Sequence, residues 1–111
     1  MNGQNGGGRH IPKRTVADML SELDVRDLRH EFDGIAKRHG VLLAEVMGHR
    51  RVSAVVAARQ ECFAILRERG WSSTRIGALF DREHTTVLDG VKAHERRLAK
   101  TIVAELKRGA A

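Results

Sequence analysis

The chain has 111 residues, with 20 Lys or Arg against 14 Asp or Glu, a formal net charge of +6 and a pI of about 10.4. This length accommodates one domain, and a domain of this size buries enough surface to fold without cross-links. The charge indicates an anionic partner, nucleic acid first and a membrane surface second, and the longest uncharged stretch beyond the glycine-rich start, Val52–Ala58, is too short to span a bilayer.

The first 14 residues combine a glycine-rich start with a short basic run. Residues 1–8 contain four glycines, and they are followed by Arg9, His10, Lys13 and Arg14. Such a composition does not bury apolar surface, so we expect residues 1–14 to form a disordered basic arm.

The next segment has the apolar spacing of two helices. Thr15 is placed to cap the first one. The second begins at Asp24 or Val25, is weakened or broken at Gly34 and ends at Gly40. The apolar residues expected on the buried faces are Val16, Met19, Leu20, Leu23, Leu28, Phe32, Ile35 and Ala36.

Two more helices are predicted in the middle of the chain. Leu43–Met47 is short and is closed by Gly48, whereas the helix from Val52 to Arg69 is long and stops at Gly70. The buried stripe of the long helix is expected to consist of Val55, Val56, Cys62, Phe63 and Leu66.

The last third of the chain predicts two helices joined by a tight turn at Asp81–Arg82. The first is capped by Ser72 or Ser73, and the second begins near Glu83 or His84. The residues of these helices expected to be buried are Ile76, Leu79, Phe80, Val87, Leu88, Val91 and Leu98.

Two helices joined in this way have the proportions of a helix-turn-helix, and the predicted fold class is an all-α, multi-helix helix-turn-helix domain. The last helix continues to Leu106, either straight or broken at Gly90. Its first turn carries His84, Thr85 and Thr86. A recognition helix contacts bases with its N-terminal residues, and these side chains offer hydrogen-bonding groups and methyls for base edges. Capping of the helix N-terminus alone does not require three such residues, so it does not account for the whole motif.

Four short segments stand in a specific order and spacing: Arg50-Arg51, Ala58-Arg59-Gln60, Ile76-Gly77 and Glu83-His84-Thr85-Thr86-Val87-Leu88. They resemble the C-terminal DNA-binding domain of the bacterial replication initiator DnaA, whose signature reads approximately ARQ, then IG, then FGGRDHTTVL. The resemblance covers about residues 33–98 and implies a Trp-repressor-like helix-turn-helix domain. It divides the chain into the arm at 1–14, a helical extension at 15–32 and a DNA-binding domain at 33–108.

The resemblance implies base contacts for four residues. Arg51 matches an arginine that enters the minor groove, where a narrow, A·T-rich sequence has a strong negative potential. His84 and Thr85 match residues that contact bases in the major groove. Glu83 replaces the usual aspartate, and both side chains can accept a hydrogen bond from a cytosine amino group.

The same resemblance implies phosphate contacts. Arg59, Gln60 and Arg67 match backbone-contacting positions, and no acid stands three or four residues from Arg67 to form an intrahelical pair. Helix N-terminal N–H groups near Ser73 also suit a phosphate. The expected phosphate-contacting residues are Arg50, Arg59, Gln60, Arg67, Ser73, Thr74, Arg75, Thr86 and Lys92.

Several positions depart from the family pattern. The Asp81-Arg82 turn replaces Gly-Gly-Arg and is one residue shorter, as is the turn after Arg69. His39 stands where an aromatic is usual, and Trp71 is expected to cover the core rather than to stack on bases. These departures bear on the target sequence, which for the family is a TTATnCACA box, more than on DNA binding itself.

No catalytic or ligand-binding pattern stands out elsewhere. The chain contains no G-x-x-x-x-G-K-[ST] loop, so we expect it to bind DnaA-box-like duplex DNA without ATPase activity or unwinding. The six histidines lack partners at metal-ligand spacing, and we expect no metal, no cofactor and no enzymatic activity. Cys62 cannot form an internal disulfide, and with no signal peptide the expected location is cytoplasmic, at the nucleoid.

Two alternative functions remain open from the sequence. The near-neutral helices of residues 15–32 offer a surface for self-association or for a protein partner, which would make the chain a protein-interaction module. The other alternative is a nonspecific nucleoid-associated protein, which would bind all duplexes with equal affinity.

Overall fold

The computed structural model describes residues 14–109, which fold into six α-helices. In chain order these are α1 (Val16–Val25), α2 (Arg29–Arg38), α3 (Leu43–Met47), α4 (Ser53–Glu68), α5 (Ser73–Phe80) and α6 (His84–Gly109). No strand occurs in this part of the chain, and the predicted all-α fold class is confirmed. The predicted arm lies outside the described residues except for Arg14, whose Nη1 donates a hydrogen bond to the carbonyl oxygen of Ala78 at 3.0 Å.

Thr15 caps α1, as the sequence predicts. Its hydroxyl accepts a hydrogen bond from the backbone N–H of Asp18 at 3.0 Å, and the Asp18 carboxylate accepts one from the backbone N–H of Thr15 at 3.2 Å. The backbone N–H of Thr15, and then its side chain, lower the pKa of the Asp18 carboxyl, because hydrogen bonds to the carboxylate favour its charged form. The apolar face of the capped helix then buries Met19 and Leu23.

The turn between α1 and α2 corrects the predicted start of the second helix at Asp24 or Val25. That start is wrong, because α1 itself continues to Val25 and α2 follows after a three-residue turn. Asp27 adopts a left-handed φ of 59°, and the N–H of Leu28 donates to the carbonyl of Leu23 at 2.8 Å. A helix commonly ends in this way, with a glycine in the left-handed conformation. Aspartate also tolerates that conformation, but it marks a helix end less clearly in the sequence than glycine does.

The end of α2 is fixed to α4 through a shared carboxylate. The helix is not broken at Gly34, and Gly40, with a φ of 71°, follows it as predicted. Glu61 of α4 accepts a hydrogen bond from Nε2 of His39 at 2.8 Å and forms a salt bridge with Arg38 at 2.5 Å. Burial alone would raise the pKa of Glu61, but these two partners lower it overall.

Three phenylalanines form the centre of the core. The rings of Phe63 and Phe80 meet edge to face, with centroids 4.9 Å apart, and Phe32 lies 6.0 Å from Phe80. These rings join α2, α4 and α5, and one continuous cluster of buried side chains extends from α1 to Val87 of α6. Residues 15–32 and 33–108 therefore share a single core in the structure.

Most residues predicted for the core are buried. Those that are only half-buried are Val16, Leu20, Val56, Leu88 and Val91. Leu98 was expected to be buried, which is wrong: it is 48 % exposed. The reason is that α6 extends beyond the helices that pack on it, so that every residue from Glu95 to Gly109 is exposed.

The helix α6 is continuous through Gly90, which settles whether it is straight or broken there. Gly90 is buried against α4, and a Cβ atom at this position would lie 2.8 Å from Cδ2 of Phe63. The glycine is therefore required for the close approach of α6 to α4 and not for a bend.

The turn between α5 and α6 depends on Gly77 and Asp81. Asp81 has a left-handed φ of 56°, and the N–H of Arg82 donates to the carbonyl of Gly77 at 2.8 Å. Gly77 is buried, and a Cβ atom here would overlap the carbonyl oxygen of Arg82. The close packing of α5 on this turn thus leaves no space for a side chain.

We expect Gly77→Ala to lower the free energy of unfolding by about 1–3 kcal/mol, because a backbone oxygen must shift to admit the methyl group. Urea unfolding followed by far-ultraviolet circular dichroism measures the change. Gly34→Ala is the matched control, since a Cβ atom there meets nothing within 4 Å, and it should raise the free energy by about 0.5–1 kcal/mol. Equal effects of the two substitutions would contradict the packing assigned to Gly77.

Candidate nucleic-acid interface

The first turn of α6 directs its polar residues to solvent. Glu83, His84, Thr85 and Thr86 are exposed, and we call this segment the reading turn. Val87, immediately after it, is fully buried and anchors the start of the helix in the core. The backbone N–H groups in the first turn of a helix have no intrahelical partners, so the same end can also bind an anion. Three of the four residues predicted to contact bases, Glu83, His84 and Thr85, are therefore adjacent and accessible.

Arg59 is buried and fixes the loop between α3 and α4. Its Nε donates a hydrogen bond to the carbonyl of Val46 at 2.8 Å. Its Nη2 donates to three further carbonyls, those of Glu45 at 3.1 Å, Gly48 at 2.9 Å and Arg50 at 3.0 Å. The sequence predicts a phosphate contact for Arg59. At 6 % exposure the side chain holds the loop that presents the exposed Arg51.

Arg82 joins this loop to the reading turn. Its Nη1 donates to the carbonyl of Phe80 at 2.8 Å, and its Nη2 donates to the carbonyl of Gly48. The oxygen of Gly48 therefore accepts from Arg82 and from Arg59. Arg82 is absent from the site residues predicted above, although it matches the arginine of the quoted family signature, which is the signal that could have identified it.

The loop and the reading turn border an open cleft of about 670 Å³. Its lining residues are His49, Arg51, Val56, Arg59, Gln60, Phe63, Asp81, Arg82, Glu83 and Thr86. Predicted site residues from three parts of the chain thus meet here: Arg51 from the loop, Gln60 from α4, and Glu83 with Thr86 from the reading turn.

Three arginines concentrate positive charge in the cleft. Burial, followed by the charges of Arg82 and Arg51, lowers the pKa of Arg59 to about 10. Burial also lowers the pKa of Arg82, with Asp81 opposing the shift and Arg51 adding to it. The three guanidinium groups repel one another, so an anion bound between them would be stabilised by relief of that repulsion.

A second group of predicted phosphate-contacting residues lies at the opposite end of α5 and consists of Arg67, Ser73, Thr74 and Arg75. Nη1 of Arg67 donates to the carbonyl of Trp71 at 3.1 Å, and the guanidinium of Arg75 lies 3.8 Å from the Trp71 ring centroid. Trp71 is half-buried against the core, and Ser72 caps α5 by accepting from the N–H of Arg75. This group does not line the cleft, and the length of α5, about 12 Å, separates the two.

The remaining predicted residues lie apart from both groups or have a defined partner. Arg50 is exposed, and its Nη1 forms a salt bridge with Glu45 at 2.8 Å. Oε1 of Gln60 accepts a hydrogen bond from Nη2 of Arg97 at 2.9 Å, which connects α4 to α6. Lys92 is exposed on α6, about two turns beyond the reading turn.

Among the described residues, salt bridges neutralise most cations of α1, α2 and their connecting turn but none of those within the last three helices. On α1, α2 and their connecting turn, Arg26, Arg29, Lys37 and Arg38 each pair with a carboxylate. In the described chain, no Lys or Arg within α4, α5 or α6 forms a salt bridge, and Arg69, just after α4, pairs with Glu31. The unpaired positive charge therefore lies mainly on α4, α5 and α6, two of which carry the cleft and the reading turn.

Residues 14–109 lack the features of two other kinds of site. No helix among them is both long enough and apolar enough to cross a bilayer. They also contain no group of three or more His, Cys, Asp or Glu side chains placed to hold a metal ion.

We expect Arg59→Lys to lower the free energy of unfolding by about 1–3 kcal/mol, because an ammonium cannot replace the hydrogen bonds that a guanidinium makes to four carbonyls. Arg50→Lys is the matched control: its salt bridge is exposed, and the change should stay within about 0.5 kcal/mol. Urea unfolding of both variants measures the difference. If Arg59→Lys is as stable as Arg50→Lys, the side chain does not hold the loop.

Residues 32–93 match the family model for the bacterial DnaA protein helix-turn-helix. The matched residues include α3, α4, α5 and the reading turn, and every residue that lines the cleft lies within the matched range. No solved structure matches the chain. Because the family model covers more than half of the 111 residues, and because the structure contains the corresponding helix-turn-helix, the chain belongs to the bacterial DnaA helix-turn-helix family, whose domain is a DNA-binding module.

Proposed function

We propose that the chain binds duplex DNA sequence-specifically at DnaA-box-like sites, without ATPase activity, and acts at the nucleoid in replication control or transcription regulation by occupying those sites. The observation that carries the proposal is the pair of arginines, Arg59 and Arg82, that fix the loop of Arg51 beside the reading turn through one carbonyl, that of Gly48. Neighbouring major and minor grooves are separated by one phosphate backbone, so two adjacent protein segments are suited to contact both.

In this proposal, the reading turn enters the major groove. Its first residues, Glu83, His84 and Thr85, contact base edges, since all three are exposed and project from the N-terminal end of a helix anchored by Val87. Carboxylate, imidazole and hydroxyl groups with a methyl provide acceptors, donors and an apolar contact for different bases. Arg51 enters the adjacent minor groove, where its exposed guanidinium is attracted by the negative potential of A·T-rich sequence.

The proposed phosphate contacts fall on both sides of the reading turn. Arg50, Gln60 and Thr86 lie at or beside the cleft, and Lys92 follows on α6. The group at the other end of α5 consists of Arg67, Ser73, Thr74 and Arg75. The separation of the two groups, about 12 Å, is similar to the width of the major groove, so each group is suited to one of its two phosphate walls. Arg59 acts in this scheme chiefly by holding the loop of Arg51.

Selection of bound duplexes from a random library tests the proposal directly. We expect enrichment of a consensus related to TTATnCACA, with differences at positions contacted by Glu83, because its extra methylene alters the reach of the carboxylate relative to aspartate. Enrichment of no sequence, with equal affinity for random and A·T-rich duplexes, would instead identify a nonspecific nucleoid-associated protein. Absence of binding to any duplex at low salt would favour the protein-interaction module.

Substitution of the proposed base-contacting residues should affect specific binding more than nonspecific binding. Arg51→Ala and Thr85→Ala should each weaken binding to the selected site by about 10- to 100-fold, or about 1–3 kcal/mol, while changing affinity for random duplex less. Arg67→Ala is the control for a phosphate contact and should weaken both by a similar factor. Fluorescence anisotropy with labelled duplexes at fixed salt gives the values. Equal losses on both duplexes for all three variants would refute the assignment of base contacts.

A further inference from the structure

We propose that the exposed half of α6 extends the duplex contact, with Arg96 and Lys100 binding phosphates beyond the segment contacted by the reading turn. This inference rests on the proposed function, because it assigns additional residues to the same DNA partner. Both residues are exposed, and both lie beyond the end of the range matched by the family model.

The first supporting observation is that α6 is one rigid element from the reading turn to its end. It comprises 26 residues without a break, which corresponds to a length of about 39 Å. Gly90 lies against the ring of Phe63, and the hydrogen bond from Arg97 to Gln60 fixes the middle of the helix to α4. The position of the reading turn on DNA therefore also determines where the exposed half of α6 lies.

The second observation is that the cations of α6 follow the reading turn on one face. At 100° per residue, Lys92, Arg96 and Lys100 lie about −20°, +20° and +60° around the helix axis from Thr85. The rise from Thr85 is about 16 Å to Arg96 and about 22 Å to Lys100. Since the major groove is about 12 Å wide, a helix that begins in the groove brings residues at these distances to the phosphates along its edge.

The third observation is that this face carries charge without a salt-bridge partner. The helix contains six Lys or Arg and three Asp or Glu. Within the described residues, Lys92, Arg96 and Lys100 form no salt bridge, in contrast to the paired cations of α1 and α2. Asp89 lies on the same face but nearer the reading turn, where a carboxylate can accept from a cytosine amino group.

Three of the four large exposed apolar residues of the same helix lie on a different side. Leu98, Ile102 and Leu106 are about half exposed or more and lie about −140°, −100° and −60° from Thr85, whereas Val103, which is 50 % exposed, lies at about 0°, within the basic face. A duplex bound along the basic face would leave Leu98, Ile102 and Leu106 exposed, and nothing in the structure shows what covers them. The charge pattern therefore favours DNA, rather than a protein, as the partner of the face that carries Arg96 and Lys100.

The test is the salt dependence of binding to a duplex that carries the selected site and one helical turn of flanking sequence on each side. For Arg96→Ala/Lys100→Ala, loss of two phosphate contacts should reduce the magnitude of the slope of log K against log salt by about 2 and weaken binding at moderate salt by roughly 10- to 30-fold. Removing the flanking sequence from one side of the site at a time should lower the affinity of the wild type for one of the two shortened duplexes only. On that duplex, the wild type and the variant should bind with equal affinity.

The matched control is Arg29→Ala/Lys37→Ala, which removes the same two positive charges from the side where they are paired with Asp24 and Asp33. Its slope should equal that of the wild type. Equal slopes for Arg96→Ala/Lys100→Ala and the wild type would overturn the inference and favour a protein partner for this half of α6. Failure of the wild type to bind any duplex would reject the proposed function itself, so the two failures are distinguishable.

Discussion

A single backbone oxygen, the carbonyl of Gly48, holds the candidate interface together. It accepts hydrogen bonds from Arg59, which belongs to the long scaffold helix α4, and from Arg82, which belongs to the turn before α6. The loop that presents Arg51 and the segment that presents His84 and Thr85 are thereby fixed relative to each other. Neither segment has a strand or disulfide to order it, so these hydrogen bonds perform that task in the described structure.

The two arginines also determine the electrostatics of the interface. A buried guanidinium is costly unless its donors are satisfied. Backbone carbonyls satisfy those of Arg59, whereas Arg82 combines carbonyl acceptors with the nearby charge of Asp81. A carboxylate partner would cancel the positive charge, whereas the carbonyls around Arg59 leave its charge in place. The side chains that hold the loop in place therefore also attract an anion. Most of the salt-bridged carboxylates, in contrast, pair with cations of α1, α2 and their connecting turn.

Sequence reasoning predicted the helices and the identity of the reading turn, because both depend on local signals. Apolar spacing, Thr15, Gly40 and Gly70 mark helices and their ends, and the His84-Thr85-Thr86 motif is contiguous. The errors arise where contacts between distant parts of the chain determine a helix end or the burial of a side chain. Asp27 closes α1 in a conformation that glycine usually adopts, and Leu98 is exposed because its helix outruns the core, which apolar spacing alone does not reveal.

The direction of a long side chain was likewise beyond sequence reasoning. Arg59 and Arg67 are both arginines on α4, separated by eight residues, and the sequence predicts a phosphate contact for both. The structure buries the first and exposes the second, because the α3–α4 loop crosses over Arg59 and supplies carbonyl acceptors to it. The loop path depends on contacts between residues far apart in the chain, so local pattern does not distinguish the two arginines.

The contact of Gly90 with Phe63 gives α6 the mechanics of a lever. From this fulcrum, the arm to His84 measures about 9 Å and the arm to Gly109 about 28 Å, a ratio of roughly three. A tilt of the helix therefore moves its far end three times as far as it moves the recognition residues. Conversely, a modest force applied to the far end exerts a larger force at His84, and the ring of Phe63 is the point that must resist it.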